Sequence, residues 1–382
     1  MNGTGTRGRA GPDEGGARVS EAGMRLRLAR QARGLSQQQL AGMAGVSRQA
    51  LSAVESGHSD PSLRVALALT RALGVTVEEL FGPAAVAPVV QARAVAPLGG
   101  KGARVTLAPV GEELVALPLA ADNVTQAGFL PAGGVVASPP ARIQPVGPPR
   151  PTLVVAGCDP ALPLLGQPLA LLDPPVGFAW WPCGSSEALR LAGAGVVHAA
   201  GAHLLGPSGQ YNTGPAAERL GRKGADVVGF TSWREGLVLR PGLADEVSGL
   251  ADLTRAGRRL VNREQGSEAR RVLDREVKRL RLDPVSIDGY GTRASGHLPV
   301  AAAVAAGLAD AGIASEPAAL AYGLGFLPLA SERFDLVIPA VHGESREVQA
   351  LLRVLSSPWL LAQLASLPGY DPAHCGEHVA TV

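Results

Sequence analysis

L-S-Q-Q-Q-L-A-G-M-A-G-V-S-R-Q-A-L-S-A-V-E-S-G, from Leu35 to Gly57, has the punctuation of two short helices joined by a tight turn. Ser36 suits the N-cap of the first, and Gln39 stands three residues on, as a capping box requires. Leu40, Ala41 and Ala44 share one face at helical spacing. Gly45 is free to take the positive φ of a turn. Ser47 suits the next N-cap. Ala50, Leu51 and Val54 form the inward stripe of the second helix, which Gly57 ends. Arg48, Gln49 and Ser52 are left pointing outward, and Arg and Gln are the side chains that read guanine and adenine edges in a major groove.

The stretch resembles the helix-turn-helix of the phage-repressor-like, XRE-type family. The resemblance implies that the second helix enters the major groove. It implies that Ser47, Arg48, Gln49 and Ser52 lie against DNA, with Arg48 and Gln49 on bases and Gln37 on the backbone. One turn further on, where the family often has a polar base-reading residue, stands Ala53. The expected partner is a double-stranded operator, bound by a homodimer.

Outward from this stretch, a helix is expected from about Glu21 to Arg33, with Leu28 and Ala32 inward. Arg25, Arg27, Arg30 and Arg33 spread around it, some toward phosphates. Asp60 as N-cap and Pro61 at the first helical position open a further helix that Gly74 closes. Thr76 with Glu79 forms a second capping box, opening a short helix to Phe81. The segment 1–20 is rich in Gly and Arg, lacks an apolar core and reads as a disordered leader rather than a secretory signal.

The 382 residues allow two or three domains. Hydrophobic residues make up 46% and charged residues 18%, which describes a globular chain. Net charge is only +2, so charge alone does not identify a partner. The basic residues are almost all arginine, with lysine at Lys101, Lys223 and Lys278. The three cysteines, Cys158, Cys183 and Cys375, form no C-x-x-C motif, and an odd count argues against a disulfide framework. A reducing cytoplasm fits, and no apolar run is long enough to span a membrane.

From 83 to 151 proline and glycine become dense. Arg104–Val110, Glu113–Leu119 and Gly134–Ala137 read as short strands, with turns at Gly111 and at Gly133-Gly134. This is either a β-rich connector or a partly flexible linker. Pro139 to Pro151, with six prolines, reads as an extended spacer. Beyond it, apolar strand runs alternate with helices, which implies an α/β sheet with parallel pairs over 152–382. Thr152–Ala156 feeds Asp159 as N-cap and Pro160. Trp180 to Ser186 feeds a helix at Glu187–Ala192. Leu260–Asn262 feeds Glu268–Leu280.

No Ser-His-Asp order, H-E-x-x-H, Walker loop or paired-carboxylate motif stands out, so no catalytic residue and no metal ligand is assigned. What recurs is a strand, a small polar loop and a helix start, and helix N-termini bind anions. Ser185, Ser186 and Ser267 add hydroxyls, and Arg263 and Arg270 could add charge. The same serines also serve simply as caps. His198 and His203 read as structural. Cys158 reads as packing in a tight turn, with a thiol sensor as the other reading. Trp180-Trp181 reads as lobe core.

Gly184-Ser185-Ser186, Ala200-Gly201-Ala202-His203, Arg234-Glu235-Gly236-Leu237, Asn262 to Arg270, Gly296-His297 and Phe326-Leu327-Pro328-Leu329 together resemble the type II periplasmic-binding-protein fold, in its molybdate-binding-protein-like variety. The resemblance implies two lobes, a cleft, and crossings near Gly229–Glu235 and Gly325–Ala330. It implies a small anionic ligand held by Cys158, Ser185, Ser186, Ser267, Arg270 and His297, with molybdate or tungstate as the bound ligand, or a molybdenum-cofactor-related compound. Where the periplasmic binders usually offer a hydroxyl this chain has Cys158-Asp159, so Asp159 is expected to cap its turn. The function expected is a cytoplasmic one-component transcription regulator, not an enzyme. The alternatives are a molybdenum-cofactor biosynthetic or ligand-handover protein, and a ligand store whose helix-turn-helix binds protein.

Overall fold

The structure, a computed structural model, describes residues 21–82, 87–119, 130–207, 209–255 and 257–382. The expected leader, 1–20, lies outside the described residues. The chain divides into two compact units between Val86 and Ala87. No helix among the described residues is long and apolar enough to cross a membrane.

The first unit holds five helices: α1 Glu21–Ala32, α2 Gln37–Ala44, α3 Arg48–Glu55, α4 Leu63–Leu73 and α5 Val77–Phe81. Local chemistry sets most of their ends. Ser36 and Gln39 close a capping box, Ser47 accepts from the Ala50 N–H, and Thr76 and Glu79 close the second box. Gly45 takes φ 64°, ending α2 in the left-handed region. Leu26, Leu40, Leu51, Val54, Leu69 and Leu73 build the core.

Three expectations need correction. In α1, Leu28 is 56% exposed and Ala32 is exposed, whereas Gly23, Leu26 and Arg30 are buried. The reason lies on α3. Arg30 Nε meets Glu55 Oε1 at 2.6 Å, and Gly23 lies so close that an added Cβ would sit 2.5 Å from the Val54 carbonyl oxygen. In α3, Ala50 is exposed and Glu55 takes the inward place, because Arg30 neutralises it. The N-cap of α4 is Ser62, not Asp60: its hydroxyl accepts from the Val65 N–H.

The second unit opens with a six-stranded sheet: β1 Val90–Gln91, β2 Arg93–Ala94, β3 Arg104–Val110, β4 Glu113–Pro118, β5 Gly134–Ser138 and β6 Arg142–Pro145. The order is β1-β6-β5-β3-β4-β2. The expected proline spacer therefore contains a strand, since β6 pairs with both β5 and β1. Side chains alternate along β3. Val105 and Leu107 face a core within the sheet, while Ala108 and Val110 share a core with Val154, Trp181 and Leu189. The connector is thus packed onto the α/β region beyond it, and a division at residue 151 does not appear in the core.

The rest forms a nine-stranded sheet. Its strands are β7 Thr152–Gly157, β8 Gly177–Pro182, β9 Ala199–Ala202, β10 Ala225–Leu239, β11 Leu260–Arg263, β12 Arg293–Ala294, β13 Ala311–Ser315, β14 Gly325–Pro339 and β15 His378–Thr381. Its helices are α6 Gly166–Ala170, α7 Ser185–Gly193, α8 Thr213–Leu220, α9 Glu268–Arg279, α10 His297–Ala305, α11 Glu316–Ala321, α12 Arg346–Leu355 and α13 Pro358–Ser366. β7, β8 and β9 run parallel in one lobe; β11, β12 and β13 run parallel in the other. β10 and β14, antiparallel and 15 residues each, join the lobes. Register shifts at Gly229/Thr231 and Glu235/Gly236 bracket the crossing. The partners of that stretch are Ala330 to Phe334, so the second crossing lies beyond the Gly325–Ala330 expected from the sequence. This is a curled, two-lobed α/β fold behind an all-α helix-turn-helix unit.

Candidate functional site

In the first unit, Ser47, Arg48 and Gln49 are exposed at the start of α3 and Ser52 is half-buried. Arg48 and Gln49 follow the cap directly, so both side chains stand clear of the core. Gln37 is engaged within the domain, its amide donating to Glu55 Oε2 at 2.8 Å.

In the second unit, the ends of β7, β9, β11 and β13 and the crossing strands bring polar groups together between the lobes. Cys158 follows β7, and its Sγ lies 3.2 Å from Nε2 of His203, just past β9. Nδ1 of His203 meets Oε2 of Glu332 on β14. Burial opposes the imidazolium, but the Cys158 sulfur and the Glu332 carboxylate outweigh it and hold His203 well above the ordinary histidine value. Glu235 on β10 is pushed up to about 8, first by burial and then by the charge of Glu332.

The opposite lobe supplies Arg263, Glu264, His297 and Ser315. Arg263 is wholly buried and forms a fork on Glu264, with both contacts at 2.8 Å. Its Nη1 donates to Nδ1 of His297 at 2.9 Å, and the Ser315 N–H donates to the same nitrogen at 3.1 Å. Burial and the Arg263 charge keep His297 well below the ordinary value, hence neutral. Glu235 Oε1, Glu332 Oε1, His297 Nε2 and Ser315 Oγ are buried and have no hydrogen-bond partner among the described residues. Natural folds rarely bury such atoms unsatisfied. Beside this cluster, Trp233 and Glu332 line a groove of about 450 Å³.

The expected ligand residues are only partly brought together. The loops at Ser186 and Gly266 do meet across the lobes: Ser186 Oγ donates to the Gly266 carbonyl at 2.9 Å. Ser185 Oγ accepts from the His203 N–H at 3.2 Å. Ser267 caps α9 and donates to the Glu264 carbonyl. Arg270 turns to Asp274 at 2.7 Å and lies over the Tyr290 ring, so it does not join the central cluster. Cys158 and His297 do lie in that cluster. Asp159 stays out of it, accepting from the Ala161 N–H at 2.8 Å and from Thr231 and Tyr370.

No ligand role is legible in the sequence for Glu235, Glu332 or Trp233, and His203 reads there as structural. Glu332 sits on a strand with no motif around it, and Glu235 lies within Arg234-Glu235-Gly236-Leu237 without any ligand role being legible there. Glu235 pairs with Ala330 and Glu332 with Trp233, so the two carboxylates lie two positions apart on one face of the crossing pair, a matter of register.

Residues 26–80 match the helix-turn-helix family, and residues 167–356 match the family described as PBP superfamily domain. The chain is 29% identical over 231 residues to the uncharacterized protein YvgK of Bacillus subtilis, covering 60% of this chain and 73% of the relative. It is 40% identical over 57 residues to an uncharacterized HTH-type transcriptional regulator of Methanocaldococcus jannaschii, covering 15% of this chain and 86% of the relative. Among solved structures, the sulfate-binding protein SubI from Mycobacterium tuberculosis H37Rv aligns with a TM-score of 0.42 at 13% identity, covering 58% of this chain and 87% of that one. The chain belongs to the helix-turn-helix family through its first unit and carries behind it an α/β domain of the PBP superfamily.

Proposed function

We propose that the protein is a one-component transcription regulator that binds operator DNA through Arg48 and Gln49 and senses a small ligand between the lobes of its second unit. The observation that carries the ligand half is the set of unpartnered buried atoms at the crossing, drawn from both lobes: Glu235 Oε1, Glu332 Oε1, His297 Nε2 and Ser315 Oγ. A ligand that satisfies them stabilises the closed lobes over the open ones. We place the protein in the cytoplasm with its DNA, as a homodimer on a two-fold operator.

The finer reading, a molybdate- or tungstate-like oxyanion or a molybdenum-cofactor-related compound, rests on the resemblance. The N-termini of α7 and α10 support it, because Gly184 and Gly296 bring no capping side chain to their first turns. Glu332, and Glu264 beyond its fork with Arg263, weigh against a bare dianion, since like charges repel strongly where water is excluded. A ligand that brings hydrogen-bond donors as well as acceptors suits the inventory better.

The test begins with selection of bound duplexes from random DNA by the full-length protein. Arg48→Ala should then lose about 1–3 kcal/mol on the selected site and much less on random DNA. Equal loss on both would reduce Arg48 to a phosphate contact. Failure to enrich any sequence would sink the regulator reading. A melting series with molybdate, tungstate, sulfate and phosphate addresses the ligand. A specific shift by one of them upholds the oxyanion class, and no shift removes it.

A further inference from the structure

Cys158, His203 and Glu332 stand in line on one lobe. One imidazole joins the thiol to the carboxylate through its two nitrogens, with Cys158 Sγ 3.2 Å from Nε2 and Glu332 on Nδ1. None of the three is more than 6% exposed. The sheet holds the line in place: β9 pairs with β7 on one side and β14 on the other.

The other lobe faces this line with a donor whose proton position is fixed. Nδ1 of His297 accepts from Arg263 and from the Ser315 N–H, so the neutral ring carries its proton on Nε2. Nε2 is buried and has no partner among the described residues. A ring nitrogen of His297 lies within 4.8 Å of both Cys158 Sγ and a ring nitrogen of His203. The same tautomer argues against a metal ion bridging the three, because a protonated nitrogen offers no lone pair.

Nucleophile, base, orienting carboxylate and a fixed hydrogen-bond donor are therefore gathered around one small space. We propose that Cys158 bonds covalently to a small ligand bearing an electrophilic carbonyl group, an aldehyde or a conjugated enone. The proposal rests on the reading of the cleft as the ligand site and names the chemistry of that ligand.

His203, held as imidazolium by Glu332 and the neighbouring sulfur, already carries the proton and donates a hydrogen bond through Nε2–H to Cys158 Sγ. The sulfur attacks the electrophilic carbon, an S–C bond forms, and the π electron pair moves to the carbonyl oxygen. His297 Nε2–H donates a hydrogen bond to that oxygen. The His203 imidazolium gives its proton to the oxygen of an aldehyde, giving a hemithioacetal, or to the carbon next to the carbonyl of an enone, giving a thioether. No group leaves, and no oxidant or reductant is consumed. Glu332 is a positioning residue that orients the imidazole. The adduct is bonded to one lobe and hydrogen-bonded to the other, so it favours closure. The other thiols differ: burial pushes Cys183 well up, and Cys375 up to about 12.

The full-length protein is treated with iodoacetamide and, separately, with N-ethylmaleimide across a range of pH, and peptide mass spectrometry locates the label. At about pH 6 Cys158 should label while Cys183 and Cys375 do not, because an ordinary thiol is below about 1% thiolate there. His203→Gln should cut that rate by about tenfold or more and return Cys158 to the pH profile of an ordinary thiol. His297→Phe should slow the maleimide, which builds charge on a carbonyl oxygen, more than iodoacetamide, which expels iodide. The proposal falls if Cys183 or Cys375 labels as readily at low pH, or if Cys158 in the unaltered protein follows an ordinary thiol profile. The profile of the unaltered protein decides even if a variant fails to fold. DNA selection is scored separately, so loss of the thiol chemistry leaves the regulator reading standing.

Discussion

His198 shows how far one buried side chain couples folding to pH. Its Nδ1 accepts from the Val154 N–H at 3.0 Å, and its ring packs edge-on to His342 with centroids 5.3 Å apart. Burial first, then the nearby His342, drives its pKa down to about 3. The folded chain therefore keeps this ring neutral while the unfolded chain protonates it. The stability is fully present above the unfolded value of about 6.5 and is lost as pH falls toward about 3. At pH 5 the loss from this residue should be about 2 kcal/mol. Urea unfolding at pH 7 and pH 5 checks it. His198→Gln, which keeps an acceptor for Val154, should shrink the pH difference by about that amount; an unchanged difference would assign the acid sensitivity to other groups.

At the scale of elements, the six-stranded sheet and the first lobe share a core. Ala108, Val110, Val115 and Leu117 are buried against Val154, Trp181 and Leu189. Removing the sheet would return this apolar surface to water, at roughly 25 cal/mol per Å². A fragment beginning at Thr152 should therefore melt well below one beginning at Ala87, or aggregate. Limited proteolysis should spare Arg142–Pro145, because β6 is hydrogen-bonded on both sides. Early cleavage there, releasing a fragment as stable as the longer one, would restore the picture of a spacer.

For the whole molecule, regulation requires that ligand and DNA each change the other's affinity. The coupling is reciprocal: if ligand shifts operator affinity by some factor, operator shifts ligand affinity by the same factor. Typical couplings of about 1–3 kcal/mol correspond to about 5- to 150-fold. Once a ligand that raises the melting temperature is found, titrations of DNA with and without ligand, and of ligand with and without DNA, should return equal factors. Tight binding of both without any coupling would leave a DNA-binding protein with a ligand domain, but not a sensor.

The amino-acid sequence by itself determined the features that depend on near neighbours. Ser36, Ser47 and Thr76 announce helix starts because their hydroxyls bond N–H groups three residues on. The run of β3 from Arg104 to Val110 was legible from its flanking turns, as were the strand-loop-helix units around Ser185 and Ser267. Tertiary structure decided the features that depend on distant partners. The inward face of α1 is set by Arg30 finding Glu55, 25 residues away. The connector's place is set by which face of β3 meets the lobe. The central cluster joins Cys158 to His203 across 45 residues and His203 to Glu332 across 129. No local pattern marks such a meeting. It exists because β9 lies between β7 and β14 in the sheet, an order set by burial of whole strands rather than by the residues that end up touching.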